Sequence, residues 1–291
     1  MSFTTLAILS FRPLAYGDVH TFCGAIMPQR EIVVVGAART AIGSYGGALK
    51  DVPMRTLATT VVQAALERSR VAPPDVGHVV FGNVIPTEPA DAYLSRISAI
   101  DAGIPRETPA FNVNRLCRSG LQSILSAAQT IAMGGADIAI GGGAESMSRG
   151  PYLAPSLRWG AMGDASCIDY MNGSLHDSWN RVHMGITAEN VAERYGISRS
   201  MQDALAAESQ RRGAGAIEEG RFDTQIVPIK IPGRKGIVRF DRDEHVRPEV
   251  DLANAKMSMI PFDEIAVEEA VRHRTTTTWA RPARPSRPSS I

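Results

Sequence analysis

The sequence predicts an α/β fold: a parallel sheet with helices over both faces. Short apolar runs rich in β-branched residues alternate with segments of helical period from Glu31 to about Ile140. Strands alternating with helices imply a parallel sheet buried on both sides. A third observation bounds that core. From about Ser148 the alternation stops, and Pro, Trp, Met and Gly scatter through 151–177 without a steady period, the texture of a long functional loop.

Residues before Met27 show no clear period and read as an upstream extension, as from an early start codon. Glu31-Ile-Val-Val-Val35 reads as a buried strand, and Leu57 to Arg68 as a helix. His78 to Phe81 gives a second strand, Tyr93 to Ala102 a helix, and Ala110 to Val113 a third strand. The helix from Ser119 to about Met133 places Leu121, Ile124, Leu125, Ala128 and Ile131 at three- and four-residue spacing, one buried stripe. Asp137 to Ile140 is a fourth strand. Two helices follow the loop, Thr187 to Tyr195 and Ser200 to Glu219, the second opening on Ser200-Met-Gln-Asp203 as its cap. Gln225 to Ile231 and Gly236 to Phe240 read as short strands. From Arg272 the chain is rich in Arg, Pro, Ser and Thr and cannot bury a core.

The chain has 291 residues, enough for one large or two modest domains. Its formal net charge of +1 provides no global field for nucleic acid or an anionic membrane. Any anionic ligand must be held by local groups. Cys23, Cys117 and Cys167 have neither metal-ligand spacing nor a paired framework, so no metal is expected and a reducing compartment suits them. Leu6-Ala-Ile-Leu9 is too short to span a membrane and lacks the flanks of a signal peptide, which leaves the cytoplasm as the default.

Chemistry concentrates in Asn112-Val-Asn-Arg-Leu-Cys117-Arg-Ser-Gly-Leu121. The cysteine falls on the turn between an extended segment and an apolar helix. Unpaired N–H groups and the positive end of the helix dipole favour a thiolate there, the form that attacks an acyl carbonyl. A small buried hydrophobe is the alternative reading of a free cysteine. Two glycine signals carry no ligand: Gly36 to Gly43 lacks the spacing that brings a backbone against a pyrophosphate, and Gly141-Gly-Gly143 lacks the Lys-Ser/Thr of a phosphate loop. Close backbone approach accounts for the latter run.

Five motifs in order resemble the first part of a thiolase of the bacterial β-ketothiolase kind. They are Val35-Gly-Ala-Ala-Arg39-Thr-Ala-Ile-Gly43, Val79-Val-Phe-Gly82-Asn-Val-Ile and Asn112-Val-Asn-Arg-Leu-Cys117, then Ile140-Gly-Gly-Gly-Ala-Glu145-Ser-Met-Ser and His183-Met-Gly-Ile-Thr187-Ala-Glu-Asn190. The resemblance implies an extension over 1–27, a layered α/β/α first core domain over 28–147, a loop domain covering coenzyme A over 148–265, and a tail over 266–291. It also implies reversible acyl exchange between CoA thioesters, with Cys117 as the acyl-thioester nucleophile. Leu175, His183 and Met184 would line the pantetheine and Arg247 would lie near the adenine, although the bare sequence reads them as a loop histidine, core and solvated charge. No tightly bound cofactor is implied; coenzyme A thioesters are substrates. Pairing through the core domain, as a homodimer or a dimer of dimers, is implied as well, with neither nucleic acid nor membrane as partner.

The resemblance has gaps. Thiolases usually carry a small residue after the nucleophile, where this chain has Arg118, whose charge favours a thiolate and whose bulk fills space. The Gly-His-Pro base motif, the Cys-x-Gly-Gly-Gly acid motif and the Asn-Glu-Ala-Phe segment do not occur in residues 1–291, and no second core domain follows Phe262. Each missing acid or base is worth about 10²–10⁴ in rate. A truncated or frameshifted reading frame is the economical expectation. Two alternatives stand beside the impaired acyltransferase: an inactive CoA-binding or dimerising module, and a condensing enzyme of the ketoacyl-synthase type, which needs two further histidines downstream.

Overall fold

The computed structural model describes residues 2–12, 19–22, 25–28, 31–160, 162–233 and 236–249. Cys23, the 266–291 tail and the end of the expected loop domain lie outside them. In chain order the strands are β1 (Ser2–Arg12), β2 (Val19–Phe22), β3 (Ala25–Pro28), β4 (Glu31–Arg39), β5 (His78–Gly82), β6 (Ala110–Val113), β7 (Ile138–Ser146), β8 (Tyr152–Leu153), β9 (Ile168–Asp169), β10 (Ile229–Gly233) and β11 (Gly236–Phe240). The helices are α1 (Met54–Ser69), α2 (Leu94–Asp101), α3 (Ser119–Ala132), α4 (Tyr170–Ser174), α5 (Met184–Tyr195) and α6 (Arg199–Glu218). Compact packing divides the chain into two units. One comprises Met1–Gly173 with Gln210–Pro248, the other Ser174–Ser209 with Glu249–Ile291.

The first unit is built on a five-stranded sheet ordered β4-β1-β7-β5-β6. β5 pairs in parallel with both β6 and β7, whereas β1 is antiparallel to β4 and to β7. The sheet is therefore mixed, with one reversed strand between the parallel block β7-β5-β6 and the single strand β4. Alternation along the strands feeds two cores. Val79, Phe81, Ile140, Leu6 and Ile8 meet α1 and α2 through Met54, Ala58, Val61, Val62, Ala65, Leu94 and Ala99. Val80, Ala139 and Leu9 meet α3 through Ala127 and Ile131. Helices thus cover both faces, as the sequence predicted.

Three local expectations change. Residues 2–12, which show no period, form a central strand; a strand buried on both sides carries a continuous apolar run and no alternation to detect. Glu31–Val35, expected to be buried, belongs to an edge strand whose Val34 is 61% and Val35 41% exposed. The α3 stripe is also displaced. The helix buries Ser119, Ser123, Ala127 and Ile131, while Leu121 and Leu125 are exposed. The reason is proximity. A Cβ on Gly141 would stand 2.6 Å from the Cα of Ile124, and one on Gly82 would stand 2.5 Å from the carbonyl carbon of Ser119. Only small side chains fit such a contact, and the Ser123 hydroxyl uses it to donate to the Gly142 carbonyl at 2.5 Å.

A half-buried ion pair fixes β4 to the segment after β11. The Arg39 guanidinium donates to both Asp243 carboxylate oxygens at 2.8 and 3.0 Å, and the Ile42 N–H adds a third donor at 2.8 Å. Burial works to raise the Asp243 pKa, but the Arg39 and Ile42 donors outweigh it and hold the carboxyl below its usual value. Beside it, Glu244 accepts from the Ser44 and Ala48 N–H groups. β10 closes the arrangement by burying Ile229 against Leu49, Val52 and Leu57.

Two stability tests follow from these contacts. Gly141→Ala must push α3 off the sheet and is expected to cost about 1–3 kcal/mol, whereas Gly120→Ala, whose added Cβ meets nothing within 4 Å, should be neutral or slightly stabilising. Urea midpoints of the two variants should move in different directions or by clearly different amounts. Asp243→Ala removes the carboxylate partner of the half-buried Arg39 and is expected to cost about 1.5–3 kcal/mol in the same measurement.

Candidate functional site

Cys117 sits where β6, having passed β5, turns into α3. Leu116 immediately before it takes a left-handed backbone, φ 51°, and Arg118 forms the helix N-cap. A leucine adopts that conformation only when its surroundings enforce it, and Ser119 supplies the enforcement. Its hydroxyl accepts from the Arg115 N–H at 2.8 Å and donates to the Leu116 carbonyl at 2.6 Å, while its own N–H donates to that carbonyl at 2.9 Å. The result is a tight loop over 115–119 that lifts Cys117 to the surface, where it is exposed. Arg118 is exposed beside it, and Arg115 leans away to the Gln122 side chain at 2.6 Å.

Both asparagines of the motif act on this loop from below. Asn114 accepts from the Leu116 N–H at 2.9 Å and donates to the Val84 carbonyl at 3.5 Å. Asn112 accepts from the Ser95 N–H at 2.9 Å and donates to the Asp91 carbonyl at 2.8 Å, tying β6 to the turn before α2. The loop after β5 is held in turn by Glu145. Its carboxylate accepts from the Asn83 amide at 3.0 Å, the Val84 N–H at 2.9 Å and the Ile85 N–H at 3.0 Å. Sequence reasoning named Glu145 only within a motif and assigned it no role. Its signal was a lone acid ending an apolar, glycine-rich strand, where a charge needs donors to be tolerated.

Glu145 thus connects the end of β7 to Cys117 through Val84 and Asn114. Burial pushes its carboxyl up to about 7, against the pull of the Val84 and Ile85 N–H groups and with help from the Asp91 charge.

The second unit holds three of the four residues assigned to coenzyme A, and it brings them together. The Met184 N–H donates to the Leu175 carbonyl at 2.8 Å, and His183 Nδ1 accepts from the Gly185 N–H at 3.0 Å to cap α5. The His183 ring meets His176 edge-on, with centroids 5.2 Å apart. In the same unit the cap of α6 is Ser198, which accepts from the Met201 N–H, and not the expected Ser200. Arg247 belongs to the first unit, where its N–H donates to the Gln210 side chain at 2.8 Å. Among the described residues no three His, Cys, Asp or Glu side chains cluster as metal ligands, and no helix is long and apolar enough to cross a membrane.

The Glu145 carboxyl makes a prediction about pH. Its pKa in the folded chain lies above the free value of 4.5, so the folded state keeps a proton that the unfolded state has released. Its contribution to stability is complete below about pH 4.5 and is lost as pH rises through about 7. The loss should amount to about 3 kcal/mol. Chemical denaturation from pH 5 to 8 should show this decline in the wild type and its absence in Glu145→Gln.

Comparison with known proteins agrees with this geometry. The profile of the thiolase N-terminal domain matches residues 32–261. The beta-ketothiolase BktB of Cupriavidus necator is 60% identical over 224 residues, which make up 77% of this chain and 57% of that protein. An acetyl-CoA acetyltransferase of Syntrophomonas wolfei is 44% identical over 233 residues, 79% of this chain and 59% of that protein. The crystal structure of human mitochondrial 3-ketoacyl-CoA thiolase superposes with a TM-score of 0.73 at 39% identity, covering 75% of this chain and 56% of the human one. This chain thus spans less than three-fifths of the length of these relatives. Over the span they share, with the sheet, the Cys117 loop and the α5 cap in place, the chain belongs to the thiolase family.

Proposed function

We propose that this chain is a thiolase-type acyltransferase in which Cys117 carries the acyl group. The Cys117 sulfur attacks the thioester carbonyl of an acyl-CoA. Its bond to the acyl carbon forms as the bond from that carbon to the coenzyme A sulfur breaks, and the cysteine proton ends on the released CoA thiol. The acyl group then passes to a second CoA thiol, or to the α-carbon of an acetyl-CoA in the condensing direction; the bond from the acyl carbon to the Cys117 sulfur breaks as the new bond forms, and the proton lost by the attacking thiol or α-carbon returns to that sulfur. The net reaction interconverts 3-oxoacyl-CoA plus CoA with acyl-CoA plus acetyl-CoA.

The observation that carries this reading is the 115–119 loop. Ser119 and Asn114 hold an exposed cysteine just ahead of the first turn of α3, within reach of a ligand carbonyl. Leu175, His183 and Met184 are proposed to meet the pantetheine arm, a role supported by their convergence at the start of α5, and Arg247 to lie by the adenine. Coenzyme A thioesters act as substrates, with no tightly held cofactor. A homodimer or dimer of dimers through the first core domain is supported by β6, which lies at the sheet edge with Phe111 exposed. The cytoplasm is the proposed location.

A second reading, a chain that captures an acyl group without turning it over, is favoured by Arg118, whose bulk stands exposed beside Cys117. One experiment separates the two. After incubation with acetyl-CoA, intact-mass spectrometry should find a single acetyl group on the wild type, mapped to Cys117, and none on Cys117→Ser. Sustained CoA release marks the turning-over enzyme, and release of one equivalent marks capture alone. A folded chain whose Cys117 stays unmodified would end both readings.

A further inference from the structure

We infer that residues 2–12 are a donor strand: β1 fills, from outside the thiolase sequence, a gap that the family-matching residues leave in the middle of their own sheet. The family match begins at residue 32, so no part of β1 belongs to it. Yet β1 is an interior strand. It pairs with β4 from Thr5↔Arg39 to Arg12↔Glu31, and with β7 from Ser2↔Ser146 to Ser10↔Ile138.

Without β1 the family-matching strands form two separate pieces. β7, β5 and β6 make one parallel block, and β4 stands alone on the far side of β1. β4 and β7 run in the same direction, since each is antiparallel to β1, and they face each other across a slot about 10 Å wide. Both edges lining that slot would present rows of unpaired N–H and C=O groups inside the domain. Only an extended segment running against them satisfies both at once. This is strand addition of the kind by which peptides join sheet edges, carried out here on two edges and within one chain.

The side chains of Leu6, Ile8 and Leu9 match the slot on both faces. Leu6 and Ile8 are fully buried in the α1 layer, and Leu9, 3% exposed, is buried in the α3 layer. Between Ile8 and Leu9 the register against β4 slips past Val35, while the register against β7 runs unbroken. β7 is therefore the principal partner. The donor segment is antiparallel to both edges, free of proline, and apolar on both faces over Leu6-Ala-Ile-Leu9. A relative with the same four parallel strands in the same places has to close this gap with some other stretch of its own sequence.

The test is hydrogen exchange on the full chain, read at peptide resolution, and it involves neither Cys117 nor coenzyme A. The amides of Leu6 to Leu9 should exchange within about tenfold of those of Ile138 to Gly142, and the two sets should lose protection together as denaturant is raised. Exchange of Leu6 to Leu9 at the rate of unstructured backbone, while Ile138 to Gly142 remain protected, would overturn the proposal. A second measurement uses a protease site inserted between β1 and β2. After cutting, the N-terminal fragment should co-elute with the body and separate only in denaturant; immediate release from a body of unchanged circular dichroism would also overturn it. Ile8→Pro, which removes a ladder donor, should lower the urea midpoint or abolish folding, and an unchanged midpoint counts against the donor role.

Discussion

Helix α3 can lie where it does only because the strand ends beneath it carry no side chains at the contact. Gly82 and Gly141 meet the helix backbone, and Gly143 adds a third bare position against Gly82 and Gly120. Any Cβ at the first two would overlap main-chain atoms, which cannot step aside as a flexible side chain does. This close approach fixes the height of the first helical turn above the sheet. Because the 115–119 loop is built on that turn, it also fixes where the Cys117 sulfur emerges. The serines at 119 and 123 complete the fit, since each is small enough for the contact and uses its hydroxyl on a neighbouring carbonyl.

Two half-buried acids organise what surrounds this contact, and their surroundings differ. Asp243 meets a full guanidinium as well as an N–H, so its charge is compensated and the carboxyl stays below its usual range. Glu145 accepts from three N–H groups and pairs with no side-chain cation among the described residues, and burial prevails and raises it. The first is a structural clamp between β4 and the segment after β11. The second belongs to the floor of the Cys117 loop, reached through Val84 and Asn114, so its protonation is coupled to the support of that loop. Its bearing on the proposed acyl chemistry is through the position of the Cys117 sulfur.

The sheet itself is assembled from two sources. Parallel strands of the thiolase sequence provide four of its five members, and the reversed fifth comes from residues that precede the family match. The family core and the N-terminal segment thereby share one hydrophobic interior, with Leu6 and Ile8 in the same cluster as Phe81 and Val61. Proposed acyl chemistry and proposed strand donation meet at β7, whose length is paired to β1 and whose last residues include Glu145.

What the sequence by itself determined was local and periodic. Strands such as His78–Phe81 and Ala110–Val113, the span of α3, the turn bearing Cys117 and the close approach at Gly141–Gly143 were all legible, because each depends on neighbours in the chain. Partners distant in sequence were not. Nothing in Leu121 and Leu125 announces that the opposite face of their helix would be buried, since the choice is made by glycines a strand away. Arg39 does not announce Asp243 two hundred residues later, nor does Glu145 announce the amides of Val84 and Ile85. An apolar run in residues 6–9 without alternation fits an idle extension as well as a doubly buried strand. The tertiary structure decided between them, because only the assembled sheet has an unfilled place between β4 and β7, and backbone hydrogen bonds left open on both sides of that place require a strand to close them.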